Sequence, residues 1–310
     1  MTLDFDIVDA HQHLARLDLG YPWLGPDAPI DRYHGDDRAL RRNYSVADYR
    51  ADIASLPIVA SVHIENGAGD PFVEARWIDE VISAYSPLPA AQVARADLSA
   101  TGAEEVLEKL AQIPSVRGIR HILNWHPNPR FTHTDRPGIM GEPAWRAAFA
   151  RLEPLGLSFD LQVFSPQLVE AAELARDFAG TRIVLDHLGM PPGRDEQTLA
   201  EWGHGMAAIA ACPNVVVKVS AIGTIDQHWS VASLREVVAP TLDLFGPERV
   251  MFASNFPVDG LYSTMTDLYV AFDELTSSFD RSEREAMFAG TAQSFYRLPP
   301  FVAAGSSVGD

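Results

Sequence analysis

Cysteine is nearly absent from this 310-residue sequence: Cys212 stands alone before Pro213, so no disulfide closes within the chain and the thiol has only a packing role. Positive charge is scarce too. With 24 Lys and Arg against 42 Asp and Glu, the formal charge is -18, and the field repels polyanions. Nucleic acid and anionic membrane surfaces are excluded as partners, while a few arginines inside a cleft still admit an anionic small molecule. No apolar run has the length of a membrane span, and the first residues, Met1 to Leu14, carry neither a basic region nor a leader-like core. A cytoplasmic location is the expectation. A Gly-rich phosphate turn is also missing after the first strand-like run, which argues against an open dinucleotide-binding sheet.

What is present is alternation. Eight β-rich runs occur, Phe5 to His13, Ile58 to Glu65, Ala90 to Leu98, Val116 to Leu123, Ser158 to Val163, Arg182 to Leu188, Val215 to Ala221 and Arg249 to Phe256. Helical spacing fills the gaps, as over Pro71 to Tyr85, Ala103 to Ile113, Trp145 to Leu155, Pro166 to Phe178 and Ser233 to Phe245. Strand and helix alternating eight times predict an α/β chain folded as one (β/α)8 TIM barrel over 1–298, followed by a loosely ordered tail over 299–310. Two connections are long. Leu14 to Tyr49 follows the first strand with Tyr21, Trp23, Tyr33, Arg41 and Tyr44, and Trp125 to Pro143 follows the fourth. Both leave C-terminal strand ends, where barrels build substrate sites, and Trp23 and Arg41 are expected to influence substrate choice.

Side chains alternate along a strand, so His11 and His13 share a face, with Asp9 one layer deeper. The same parity sends His63 and Glu65, Arg120 and Asn124, Asp160 and Gln162, His187, Lys218 and Ser220, and Asn255 to the barrel mouth. A lysine on an interior strand needs an anion or a function, and a buried Arg120 needs a negative partner. The expectation is that Arg120, with Lys218, grips a polar or anionic substituent of the substrate. If Arg120 is instead locked to a structural carboxylate, that role fails.

The blocks Asp9-Ala10-His11-Gln12-His13-Leu14, Val62-His63-Ile64-Glu65 with Glu74 to Trp77, Gly118-Ile119-Arg120, Leu185-Asp186-His187-Leu188-Gly189 and Phe245 to Val258 together resemble the amidohydrolase superfamily. More narrowly they resemble its lactonase branch, which includes 2-pyrone-4,6-dicarboxylate, L-fucono- and L-rhamnonolactonases. The resemblance runs from about Asp6 to Leu298. It implies a (β/α)8 barrel that opens a cyclic ester with water, with the histidines of strands one and six at the carbonyl. It also implies a carboxylate ending strand eight as metal ligand or base. Here that position is Asn255, and an amide accepts no proton at neutral pH.

The expected activity is therefore hydrolysis of a lactone, with His11, His13 and His187 around the carbonyl oxygen. One of these histidines, Glu65, or Asp259 folding back toward Asn255 serves as base. His63, Glu65, Asn124, Gln162, Ser220 and Trp23 complete the substrate-binding set. Metal, if held, sits on His11, His13 and His187, and zinc suits three imidazoles. No cofactor is expected to be obligatory, because Asn255 removes a negative charge from that shell. A metal-dependent decarboxylase and a barrel that only binds its ligand are the alternatives. The partner is a small molecule, and a homo-oligomer is left open.

Overall fold

The computed structural model describes residues 3–30 and 32–300. Eight parallel strands, β1 (Ile7–Gln12), β2 (Ile58–Ile64), β3 (Ala91–Arg95), β4 (Val116–Ile122), β5 (Ser158–Gln162), β6 (Ile183–Leu185), β7 (Val215–Val219) and β8 (Val250–Phe252), pair in chain order in one sheet. The sheet returns on itself. His13 N donates to Phe256 O and Asn255 N to His11 O, each at 2.8 Å, so β8 meets β1 and the barrel is nearly closed.

Helices α1 (Val46–Asp52), α2 (Pro71–Tyr85), α3 (Ala103–Ala111), α4 (Pro143–Phe149), α5 (Leu168–Asp177), α6 (Glu196–Ala210), α7 (Ile222–Ile225), α8 (Val231–Phe245) and α9 (Met265–Leu275) form the outer layer. The start of α2 is written in the sequence: Asp70 accepts Phe72 N at 2.8 Å, and Pro71 occupies the first turn, where no amide proton is needed. The helix α1 begins inside the first long connection and runs past its expected end at Tyr49, where no helix was expected. Its Ser45 and Asp48 cap each other reciprocally, a signal of four residues too short to stand out. No helix of the described residues is long and apolar enough to cross a membrane.

The strands end earlier than their β-rich runs, β4 at Ile122, β5 at Gln162 and β6 at Leu185. In β6 the reason is backbone conformation. His187 (φ 58°) and Leu188 (φ 57°) turn left-handed directly after Asp186.

Ile119, Phe159, Leu161, Ile183, Leu185, Val217 and Val219 face the helices in the outer core, where Phe159 packs edge-on against Trp145 and Phe149. Val8, Ala10, Ala60, Val62, Val93, Val184, Met251 and Ala253 fill the barrel, joined by Ala292, Phe295 and Tyr296 from the segment after α9. That segment closes the N-terminal end. Arg182 donates to Phe295 O at 3.1 Å just before β6, and Arg297 to Arg117 O at 3.3 Å in β4. Of the tail expected over 299–310, residues 301–310 lie outside the described residues.

Candidate active site

Above the apolar floor sits a layer of buried charge. Lys218 on β7 lies 2.6 Å from Asp160 Oδ2 and 3.0 Å from Asp186 Oδ1, and all three side chains are fully buried. Tyr296 rises from the floor to donate to Asp160 Oδ2 at 2.8 Å. Room for this layer comes from Gly118, where a Cβ would stand 2.3 Å from Ser158 Oγ and 3.5 Å from Asp160 Oδ1. Burial opposes charge on both carboxylates. Asp160 is pushed up to about 6, whereas Lys218 and His11 hold Asp186 well below its ordinary range against that burial.

The histidines form the next layer. His11 Nδ1 lies 3.3 Å from Lys218 Nζ, and His11 Nε2 lies 3.2 Å from His13 Nε2. His13 Nδ1 meets Ile64 O at 2.8 Å, and its Nε2 faces Asn255 Oδ1 at 3.3 Å. His187, swung inward by its left-handed backbone, lies with its ring centre 4.7 Å from that of His11, the planes tilted by 47°, and meets Ser220 Oγ through Nδ1 at 2.8 Å. Burial keeps these rings neutral. His13 falls to about 4, with Arg120 adding to the effect; His187 falls to about 3 despite Asp186, and His11 goes well below its ordinary value.

The consequence for stability has a definite sign. Because the folded values lie below the ordinary 6.5, an unfolded chain takes up these protons first, so this stability is whole above pH 6.5 and drains away toward pH 4 and 3. Asp160 and Asp259, raised by burial to about 6, and Glu74, raised to about 7, run the other way and return part of it. From pH 7.5 to pH 5 the three rings together cost about 6 kcal/mol and the three carboxyls return about 5 kcal/mol, so the net change is on the order of 1 kcal/mol and the Tm should fall only slightly. The neutral, buried state of the rings is read instead by ¹H–¹⁵N correlation of labelled histidines at pH 5, where fully protonated His13 and His187 would falsify it.

Over this layer opens a cavity of about 170 Å³ lined below by Glu65, Arg120, Gln162, His187, Thr224 and Asn255 and above by Trp23, Tyr33, His34 and His133. The two long connections supply the roof, and Trp23 is pinned by its Nε1 donating to Asn66 O at 2.7 Å. Arg41, expected beside Trp23, turns away to Asp37 Oδ1 (3.1 Å) and Ala28 O (2.9 Å). His34, His133, Thr224 and Arg32 also line the cavity, and sequence reasoning missed them. Loop residues follow no period, so only their polar and aromatic character was there to be noticed.

Several placements correct the sequence reading. Arg120 is locked: Nε donates to Glu65 Oε1 at 2.6 Å, one amino group to Glu65 O at 2.6 Å and the other to Gln162 Oε1 at 3.0 Å. The free, anion-gripping guanidinium is not there, because Glu65 already neutralises it. Lys218 lies beneath the histidines, out of the cavity, bound to its two carboxylates. His11 is fully buried and lies, with His13, beneath the lining residues, so the three rings do not all surround one point in the cavity.

His63 points toward α2, its Nδ1 accepting Leu14 N at 3.1 Å and its Nε2 3.9 Å from Glu74, while Ala60, Val62 and Ile64 occupy the interior face of β2. Asp9 is also off the expected face. The β1 to β2 register shifts between Asp9 and Gln12, and Asp9 takes hydrogen bonds from Tyr49 (2.9 Å) and Ser254 Oγ (2.7 Å). Asn124 sits behind Gln162, its carbonyl holding the second long connection through His133 N at 2.9 Å. Asp259 does fold back to Asn255, accepting Nδ2 at 3.3 Å, but it also accepts Thr224 Oγ1 at 2.9 Å and is fully buried. Ser220 touches the site only through His187.

The family model described as amidohydrolase matches residues 8–298. The chain belongs to the amidohydrolase family. This amidohydrolase is a hydrolase, 35% identical over 298 residues to protein y4mH of Sinorhizobium fredii, covering 95% of this chain and 99% of that one. It is 28% identical over 314 residues to the L-fucono-1,5-lactonase of Burkholderia multivorans, covering 94% and 96%. A crystal structure of an amidohydrolase from Burkholderia multivorans with bound zinc superposes with a TM-score of 0.79 at 25% identity, covering 95% of this chain and 100% of that one. In the amidohydrolase described here, His11, Asp186 and His187 each bring one donor atom within 4.8 Å of the others. Against a cation there, Lys218 already holds Asp186, and Asn255 brings no charge.

Proposed function

We propose that this amidohydrolase opens an uncharged lactone by adding water to its carbonyl. The observation that carries the reading is the cavity floor, where a neutral His187 stands beside an arginine whose charge is already matched. On the cavity floor Arg120 is already paired with Glu65 at 2.6 Å, so a carboxylate beside His187 finds no uncompensated cation there, while Arg32 higher up shares Asp37 with Arg41. The aromatic roof suits the apolar face of a single ring, and the polar floor suits its oxygens. The likeness to L-fucono-1,5-lactonase supports the same class.

With Ser220 Oγ accepting from His187 Nδ1, the Nε2 lone pair faces the cavity. It takes a proton from water as the water oxygen bonds to the lactone carbon. The unused N–H groups of Arg120 stabilise the negative charge that develops on the carbonyl oxygen. The ring C–O bond then breaks, and His187 returns its proton to the departing alkoxide. Charge and atoms balance with no further reactant. The residues do not fit a tightly held dication, because Lys218 and Asn255 remove the negative charge such an ion needs, and no step is drawn through one.

The test is a panel of neutral sugar 1,4- and 1,5-lactones beside a pyrone dicarboxylate, followed by proton release with and without a strong chelator. Release on the neutral lactones, unchanged by the chelator, is expected. Turnover of the dicarboxylate alone overturns the charge argument, carbon dioxide release indicates a decarboxylase, and thermal stabilisation without turnover indicates a binding protein.

A further inference from the structure

Most polar groups in the cavity roof are already spent on the protein. Trp23 Nε1 donates to Asn66 O at 2.7 Å, and His34 Nε2 faces Asp37 Oδ2 at 3.4 Å. Tyr33 and His133 differ. The Tyr33 hydroxyl and the ring nitrogens of His133 have no hydrogen-bond partner among the described residues, and neither side chain is sealed in the interior, since both line the cavity.

The two come from different connections and meet over the site. Tyr33, after β1, and His133, after β4, lie with ring centres 5.5 Å apart and planes at 77°, edge to face. Phe131 stacks 6.3 Å from the Tyr33 ring, while Phe164 and His34 meet it edge to face at 5.8 and 5.2 Å. A ring walled in this way cannot swing its hydroxyl elsewhere. Burial pushes that hydroxyl up to about 12, and the charges it feels are those of Arg120, Arg32 and Asp259. Arg120 is on the floor and Asp259 accepts from the floor residue Thr224, so the Tyr33 hydroxyl faces the floor across the cavity. Burial also holds His133 neutral, down at about 4, which leaves one ring nitrogen a donor and the other an acceptor.

We propose that Tyr33 and His133 are specificity-determining residues that hydrogen-bond hydroxyls on the edge of the lactone ring remote from its carbonyl. The proposal rests on the lactone reading, which sets the carbonyl on the floor beside His187 and Arg120. A cavity of about 170 Å³ holds one ring, so the far edge of that ring meets the roof. A phenol and a neutral imidazole offer donors and acceptors without charge, and a hydroxyl both donates and accepts, so the two sets match. A methylene at that edge displaces water from both groups and returns no hydrogen bond. Sites built to bond a hydroxyl reject the analogue lacking it for this reason.

Tyr33→Phe removes the hydroxyl and keeps the ring, and His133→Phe keeps a ring against Tyr33. Both variants are assayed on the neutral sugar 1,5-lactones and on δ-valerolactone, the same ring without hydroxyls. In each variant the ratio of kcat/KM for the best sugar lactone over δ-valerolactone is expected to fall about 10- to 100-fold. The Tm of Tyr33→Phe should not move, because the hydroxyl has no protein partner to lose. A role in folding alone would lower Tm and both rates together and leave the ratio where it was. Calorimetry with the matching lactams, which resist opening, reads binding without turnover: Tyr33→Phe is expected to bind the sugar 1,5-lactam about 10-fold more weakly and δ-valerolactam equally. Wild type that opens δ-valerolactone as efficiently as any sugar lactone, or a ratio unchanged in both variants, overturns the inference and leaves the lactone reading standing. If no lactone is opened, the lactone reading fails and the lactams decide the inference. Sugar-lactam affinity undiminished in Tyr33→Phe, or no lactam binding by wild type, then overturns it.

Discussion

His187→Gln is expected to lower kcat on a neutral lactone by about 100- to 10,000-fold, the range for loss of a general acid–base group. KM and the far-UV spectrum should hardly move. The ring is 4% exposed and borders the cavity, so its loss changes proton transfer more than packing. Ser220→Ala should give a smaller fall of about tenfold, since water can replace the hydroxyl at Nδ1 less well than the fixed Oγ 2.8 Å away. Single-turnover kinetics on both variants separates the chemical step from binding. If His187→Gln retains wild-type kcat, the proton passes elsewhere and the mechanism falls.

Arg120→Met should unfold the protein sooner before it changes any substrate preference. Removing the guanidinium leaves Glu65 as a charge 2% exposed with no cation, and breaking a buried pair in this way costs about 3 to 5 kcal/mol. The double variant Arg120→Met/Glu65→Gln should recover much of that loss, because the orphaned charge goes with the arginine. Denaturant midpoints of wild type, the single and the double variant make the comparison. A single variant as stable as wild type, with weakened substrate binding, would instead restore Arg120 as an anion clamp.

The barrel was legible because its signal repeats: a short strand-like run recurs eight times between helical stretches, and an error of one residue in any of them leaves the count intact. The site was less so, because parity counting assumes a regular pleat. It failed at β1, where the register shift turns Asp9 outward while His11 stays inward. It failed at β2, where small aliphatic residues fill the barrel and His63 faces a helix. At β6 it needed a correction of its own. Val184 lines the barrel, so Asp186 shares its parity and His187 does not; a left-handed turn brings His187 in. The role of Asp186 was there to be found in the alternation from Val184. The partnership of Arg120 with Glu65 was not, since both were assigned to the mouth and nothing in one dimension says which two of several polar groups will pair.

The floor beneath the charged layer also governs the order in which the molecule can be completed during synthesis. Asn255 and His13, which meet across the closing seam, are 242 positions apart, and the segment bearing Phe295 and Tyr296 follows even the last strand. While the ribosome is still making that segment, Lys218 and its carboxylates have no lid and remain open to water. Contacts of such long sequence separation form late and leave unpaired strand edges exposed in the meantime. Until its final turn of helix arrives the nascent barrel keeps strand edges exposed, and that turn, through Tyr296, seals the charged core.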